Sequence, residues 1–272
     1  MIENDHIEID LLLEAIYRKY GYDFRNYAYS SIKRRIFHFI ENESFKSISD
    51  LQGALLKNES VMEKLLLTFS INVTQMFRNP QFYTIFRKLA QELFSNMPII
   101  RIWHAGCSTG EEVYSMAILL TELGIYDKCR LYATDINEKV IKKAQSRIFP
   151  LSQMKMYTQN YLDAGGEKSF SEYYTARYKG ALFNADLAKN MIFSVHNLVT
   201  DKSFNEFHVV ICRNVFIYFN SDLQNKVIDN LFYGSLMSGG LLGLGDKESL
   251  HLSNSTEHFK VLDKQLRWFQ KK

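Results

Sequence analysis

The feature that most constrains the fold is an alternation that begins after Pro98. Ile99-Ile100-Arg101-Ile102-Trp103 is a short apolar run that empties into a small-residue loop, Ala105 to Gly110. Glu111 to Leu123 then has helical periodicity, with Val113, Met116, Ala117 and Leu120 in step, and stops at Gly124. A second strand, Arg130 to Thr134, ends at Asp135, and Asn137 to Ser146 reads as a helix capped by Asn137. Strand, helix, strand, helix predicts an α/β fold with a mostly parallel sheet covered on both faces. Further strands are expected at Met191 to Val195, His208 to Cys212 and Leu241 to Leu244, the last after Gly239-Gly240. A helix is expected at Leu223 to Phe232, and a hairpin over Phe259 to Phe269 closes the sheet.

Ahead of Pro98 the texture is helical. Ile9, Leu12, Leu13 and Ile16 share a face, as do Ile32, Ile36, Phe39 and Ile40, and Met62, Leu65, Leu66 and Phe69. Gly21 ends the first helix. The division read here is a helical unit over 1–92 and an α/β unit over 93–272. Ile148 to about Asn190 is polar and tyrosine-rich, and reads as a small insertion, at about 150–190, into the α/β unit.

Bulk properties exclude several classes. A net charge of +3 over 272 residues gives no argument for nucleic acid binding across the surface. The three cysteines, Cys107, Cys129 and Cys212, are far apart and form no CxxC, so no disulfide framework or zinc site is expected. The seven histidines show no HxxxH or HxH spacing, and no metal is expected. The acidic start lacks an apolar signal core, and no apolar run reaches the roughly 18 residues of a membrane span. The expectation is a cytoplasmic protein without membrane insertion.

Gly106-Cys107-Ser108-Thr109-Gly110 lies between a strand and a helix, where backbone can approach a ligand closely. It is neither GxGxxG nor GxxxxGK[ST], and Glu111-Glu112 behind it are poor company for a phosphate. Asp135, about 25 residues on, stands where an acidic residue holds ribose hydroxyls. A ligand with an amino-acid cation and a ribose but no phosphate fits this combination, and S-adenosylmethionine is such a ligand. Taken singly, the loop also reads as a tight turn and Asp135 as a helix-start residue.

Four ordered blocks sharpen the reading. Trp103 to Ser115 resembles the STGEE-x-YS signature of the CheR-type chemotaxis receptor methyltransferases. Ser70 to Arg78 resembles that family's N-x-T-x-F-F-R block, Ala133 to Ile136 its S-D-I strand end, and Cys212 to Phe219 its C-R-N-V-x-I-Y-F block. The resemblance implies an all-helical N-terminal domain, a Rossmann-like class I S-adenosylmethionine methyltransferase domain with an antiparallel C-terminal strand, and an inserted β-subdomain. It implies that Asn72, Thr74 and Arg78 contact the cofactor, with Gly106 in the loop, Glu112 at the amino-acid part and Asp135 at the ribose. Asn197 and Leu198 would flank the adenine, and Asn214 and Val215 the sulfonium. Arg78 and Tyr218 would be the catalytic pair beside the acceptor, orienting it by hydrogen bonds. Met76, Gly106, Cys107 and Val113 depart from the common family pattern.

The implied reaction is methyl transfer to glutamate carboxylates on the cytoplasmic helical domain of chemoreceptors, leaving S-adenosylhomocysteine. The basic run Lys33, Arg34 and Arg35 reads on its own as a solvated helix face; the resemblance makes it a docking surface for that acidic bundle. In some members the inserted subdomain binds a receptor-tail peptide. Two other readings stay open: a same-fold methyltransferase for another carboxylate, and a non-catalytic cofactor-binding signalling module.

Overall fold

The computed structural model describes residues 2–69, 74–178, 180–250 and 254–272. The chain begins with α1 (Ile2–Tyr20), α2 (Tyr29–Glu43), α3 (Ile48–Lys57) and α4 (Glu59–Phe69). Gly21 ends α1 in a left-handed conformation, φ +77°. The predicted apolar stripes, Ile9 to Ile16, Ile32 to Ile40 and Met62 to Phe69, meet in one cluster with Leu51 and Leu55. α1–α4 therefore form their own core.

α5 (Pro80–Phe94) follows but packs elsewhere. Its buried face, Phe82, Tyr83, Phe86, Ala90 and Phe94, joins the cluster that contains the sheet. Phe82 and Phe86 stack on Trp268 at 4.4 and 5.3 Å between ring centres. A boundary near residue 92 follows helical texture; packing divides the chain ahead of α5.

The second core is built on β1 (Ile100–Ala105), α6 (Glu111–Glu122), β2 (Cys129–Asp135) and α7 (Glu138–Gln145). Asn137 caps α7, its side chain accepting from the Lys139 N–H at 2.9 Å. The insertion comprises β3 (Ile148–Pro150), α8 (Met154–Asp163), β4 (Tyr174–Arg177), β5 (Gly180–Phe183) and α9 (Ala185–Ala188). Its three strands form a separate antiparallel sheet in the order β3-β5-β4. Tyr157, Tyr161 and Tyr173 are buried, contrary to the polar look of the stretch. Tyr161 and Tyr173 donate to Glu122 of α6, which also pairs with Arg87 of α5 at 2.6 Å.

β6 (Met191–Val195) and β7 (Phe207–Cys212) return to the main sheet. α10 (Ser221–Lys226) continues through a π-helical stretch, Val227–Phe232, and a last turn, Tyr233–Ser235. β8 (Leu236–Leu244), β9 (Phe259–Asp263) and β10 (Trp268–Lys271) complete it. β8 begins five residues before the expected strand, with its register to β7 shifting past Gly239 and Gly240. Gly239 has φ +75°, and a Cβ on Gly240 would lie 2.8 Å from the Met237 carbonyl oxygen.

The seven strands run in the order β6-β2-β1-β7-β8-β10-β9. The first five are mutually parallel, and β10 is antiparallel to both its neighbours. The chain winds outward from β1 through β2 to β6, then crosses back to β7 on the other side. That reversal opens a crevice at the carboxyl ends of β1, β2 and β7. The helical domain closes over it. Tyr27 bridges Phe219, the Ala28 N–H donates to the Tyr218 carbonyl at 2.8 Å, and the Asn220 N–H donates to Asn26 at 3.0 Å. Among the described residues no helix is long and apolar enough to cross a membrane.

Candidate active site

The crevice holds a cavity of about 1040 Å³, counted to its open mouth. Its floor is the glycine loop. Gly106 has φ +82°, and a Cβ there would lie 2.5 Å from Val215 Cγ2, so β1's loop and β7's turn meet at that point. Gly110, φ +96°, lies against α7, where a Cβ would approach Ala144 to 2.8 Å.

Asp135 stands at the end of β2. Its carboxylate accepts from the Ser108 N–H at 2.9 Å and the Asn137 N–H at 3.0 Å. Burial pushes its carboxyl up, and those N–H bonds oppose the shift. Glu112, in the first turn of α6, is bonded to His104 Nδ1 and to Arg213 Nη1, each at 3.0 Å. Burial would raise its carboxyl, but His104 and the Arg213 charge outweigh it and hold it below the usual range. Asn197 is buried; its side chain accepts from the Val199 N–H at 3.0 Å, closing a turn beside Leu198.

The far wall comes from the linker after α4. Phe77 N–H donates to Ser115 Oγ at 2.9 Å, and Asn160 of the insertion donates to the Met76 carbonyl at 3.0 Å. Arg213 donates to the Arg78 carbonyl and to Asn79 Oδ1, both at 2.9 Å, with its guanidinium 4.1 Å from the Phe82 ring centre. One arginine thus ties the linker to Glu112.

Ten of the residues singled out in the sequence line this cavity: Thr74, Arg78, Gly106, Glu112, Asp135, Asn197, Leu198, Asn214, Val215 and Tyr218. Asn72 lies outside the described residues. The departures Met76 and Val113 are fully buried packing positions, and Cys107 lines the cavity wall.

The basic run needs correction. Lys33 pairs with Asp5 at 2.9 Å, and Arg34 is exposed, but Arg35 is no surface docking residue. It is 4% exposed, donates to the Phe69 carbonyl, and lies 4.4 Å from the Tyr218 ring centre. Burial pulls its guanidinium below its usual range. The signal was present: position 35 falls on the helical stripe of Ile32, Ile36 and Phe39.

Sequence reasoning missed the aromatic wall from the helical domain. Phe24, Tyr27 and Phe69 line the cavity opposite Asp135 and Ile136. Burial, with the Asp135 charge nearby, pushes the Tyr27 hydroxyl up. No local pattern announces these contacts, because they arise when the helical domain closes on the sheet.

An α/β crevice with an acidic strand end, a glycine loop and a half-buried glutamate is a site for a nucleoside-bearing ligand. Residues 72–267 match the family description "CheR methyltransferase, SAM binding domain". Residues 7–70 match "CheR methyltransferase, all-alpha domain". The chain is 46% identical over 268 residues, 98% of both chains, to a Pseudomonas putida protein named "Putative methyltransferase Cher3". It is 27% identical to a "Chemotaxis protein methyltransferase" of Listeria innocua, over 92% of this chain and 91% of that one. A Salmonella typhimurium protein of the same name is 28% identical, over 87% and 80%. The chain belongs to the CheR methyltransferase family. It is an S-adenosylmethionine-dependent methyltransferase with an all-α N-terminal domain and a Rossmann-like catalytic domain.

The residues present fit that cofactor. Asp135 is a buried carboxylate facing the cavity at a strand end, suited to hydroxyl donors. The loop backbone at Gly106 leaves no room for a side chain.

Proposed function

We propose that this chain methylates glutamate side chains on the cytoplasmic helical domain of chemoreceptors, giving glutamate methyl esters, and that it works in the cytoplasm. The observation that carries the proposal is that Arg78 and Tyr218 line the same cavity as Asp135, Glu112 and the glycine loop. S-adenosylmethionine, when bound, supplies an electrophilic methyl group on its sulfonium. A carboxylate acceptor is already ionised at neutral pH, so the protein needs no general base. Its task is alignment and exclusion of water. Arg78 offers a fork of N–H donors to a carboxylate, and Tyr218 a hydroxyl. Asp135 and Tyr27 hold the ribose side, Asn197 and Leu198 the adenine side, and Thr74 belongs to the cofactor wall. Asn72 is assigned to the same wall by family resemblance.

Docking on an acidic receptor bundle rests on Arg34, with Lys33 beside it. A receptor-tail peptide would add to the edge strand β4, where Thr175, Ala176 and Arg177 are exposed. The test is transfer of labelled methyl from S-adenosylmethionine to membranes with and without chemoreceptors. Receptor-dependent label released as methanol by mild base supports the proposal. Receptor-independent or base-stable label refutes it.

A further inference from the structure

The turn after β7 carries Asn214 and Val215 into the cavity, with Asn214 at φ +61°. Three successive backbone N–H groups of this turn converge on one carboxylate. Glu248 accepts from Asn214 at 3.1 Å, Val215 at 2.9 Å and Phe216 at 2.8 Å. A fourth N–H, from Gly245, reaches it at 2.6 Å. Consecutive N–H groups in a turn form a concavity that fits an anion. Here the chain fills it with its own side chain, 3% exposed. Position 245 has room for nothing larger than glycine. A Cβ there would lie 2.6 Å from Glu248 Oε2 and 3.0 Å from the Asn214 nitrogen.

We propose that Glu248 is a positioning residue for methyl transfer: its carboxylate sets the 214–216 turn, and through it the wall formed by Asn214, Val215 and Tyr218. The inference rests on the methyltransferase reading above. Two acceptor oxygens serve four donors. An amide would turn an NH₂ donor toward N–H groups, leaving buried donors unmet. Aspartate, one methylene shorter, cannot span the same gap. Because Val215 touches the Gly106 loop, relaxation of the turn also loosens the cavity floor.

The test compares full-length wild type with Glu248→Gln and Glu248→Asp. Methyl transfer to chemoreceptor membranes and S-adenosylhomocysteine binding by calorimetry are measured together. The expected result for Glu248→Gln is a kcat at least tenfold lower, with S-adenosylhomocysteine affinity falling by a clearly smaller factor and the fold intact by circular dichroism. Unchanged kcat, or affinity and thermal stability lost in step with kcat, overturns the proposal. Should Glu248→Gln not fold, wild-type NMR decides. The Asn214, Val215 and Phe216 amide signals must titrate together with the Glu248 carboxyl carbon, and independence of that carbon overturns it. A wild type without receptor methylation counts against the acceptor assignment instead, and the NMR titration still reads the clamp.

Discussion

The two halves of the cavity are built differently. The sheet half is set by regular elements: Asp135 ends β2, Glu112 opens α6, and the Gly106 loop lies between them. They are joined by bonds within the sheet domain, Ser108 N–H to Asp135 and Glu112 to His104 and Arg213. The helical half reaches the cavity through loops and a linker, carrying Tyr27, Thr74 and Arg78. It is held by long-range ties, the 26–28 pairing with 218–220 and Arg213 to the Arg78 carbonyl. In the proposed reading the sheet half supplies most of the cofactor contacts, and the helical half, through Tyr27, Thr74 and Arg78, closes the pocket and aligns the acceptor.

The largest expected effect separates these roles. Arg78→Ala should lower kcat for receptor methylation about 100-fold or more while S-adenosylhomocysteine affinity falls by a much smaller factor, since orientation acts on the reacting pair. Equal loss in both would merge the two halves into one function. Asp135→Asn should act on the other side. Affinity for S-adenosylhomocysteine, read by calorimetry, should fall roughly 10-fold to 100-fold, as expected for a charged acceptor. Acidification should mimic it. Burial raises the Asp135 carboxyl, so its protonation begins at higher pH than for an ordinary aspartate. Affinity should therefore weaken as pH falls through that raised value and be full above it.

Gly106→Ala tests the seam between loop and turn. The added Cβ meets Val215 Cγ2 at 2.5 Å, at a positive φ. We expect a loss of about 1–3 kcal/mol in denaturant unfolding, from overpacking plus strain. Unchanged stability would mean that the seam is loose. The smallest effect is reserved for the basic run. Arg34→Glu should weaken receptor binding a few-fold at low salt and hardly at high salt, because an exposed charge is screened. A salt-independent loss would argue for a structural part.

This contrast also explains what was legible in the sequence. The sheet half carries its signal locally: a strand, a small-residue loop and an acidic strand end occur within Ile99 to Asp135. The C-terminal hairpin and β6 were likewise readable from apolar runs between turns. The helical half was legible where a block survives, as at Thr74 to Arg78. Tyr27 was not, because its contact with Phe219 joins segments more than half the chain apart. Glu248 was silent for the same reason. Three of its four partners are backbone N–H groups over thirty residues away, which no side-chain pattern records. Arg35 is intermediate: the helical period marks it as inward, yet its charge suggested a surface.

The most direct test of the shared cavity is S-adenosylhomocysteine binding to full-length Tyr27→Ala. Tyr27 belongs to the helical domain, far in sequence from every sheet residue of the site. The account predicts an affinity about tenfold lower or more, the scale of a lost buried aromatic contact, in a protein that stays folded. Wild-type affinity in the folded variant would contradict it, leaving the cofactor site to the sheet half alone.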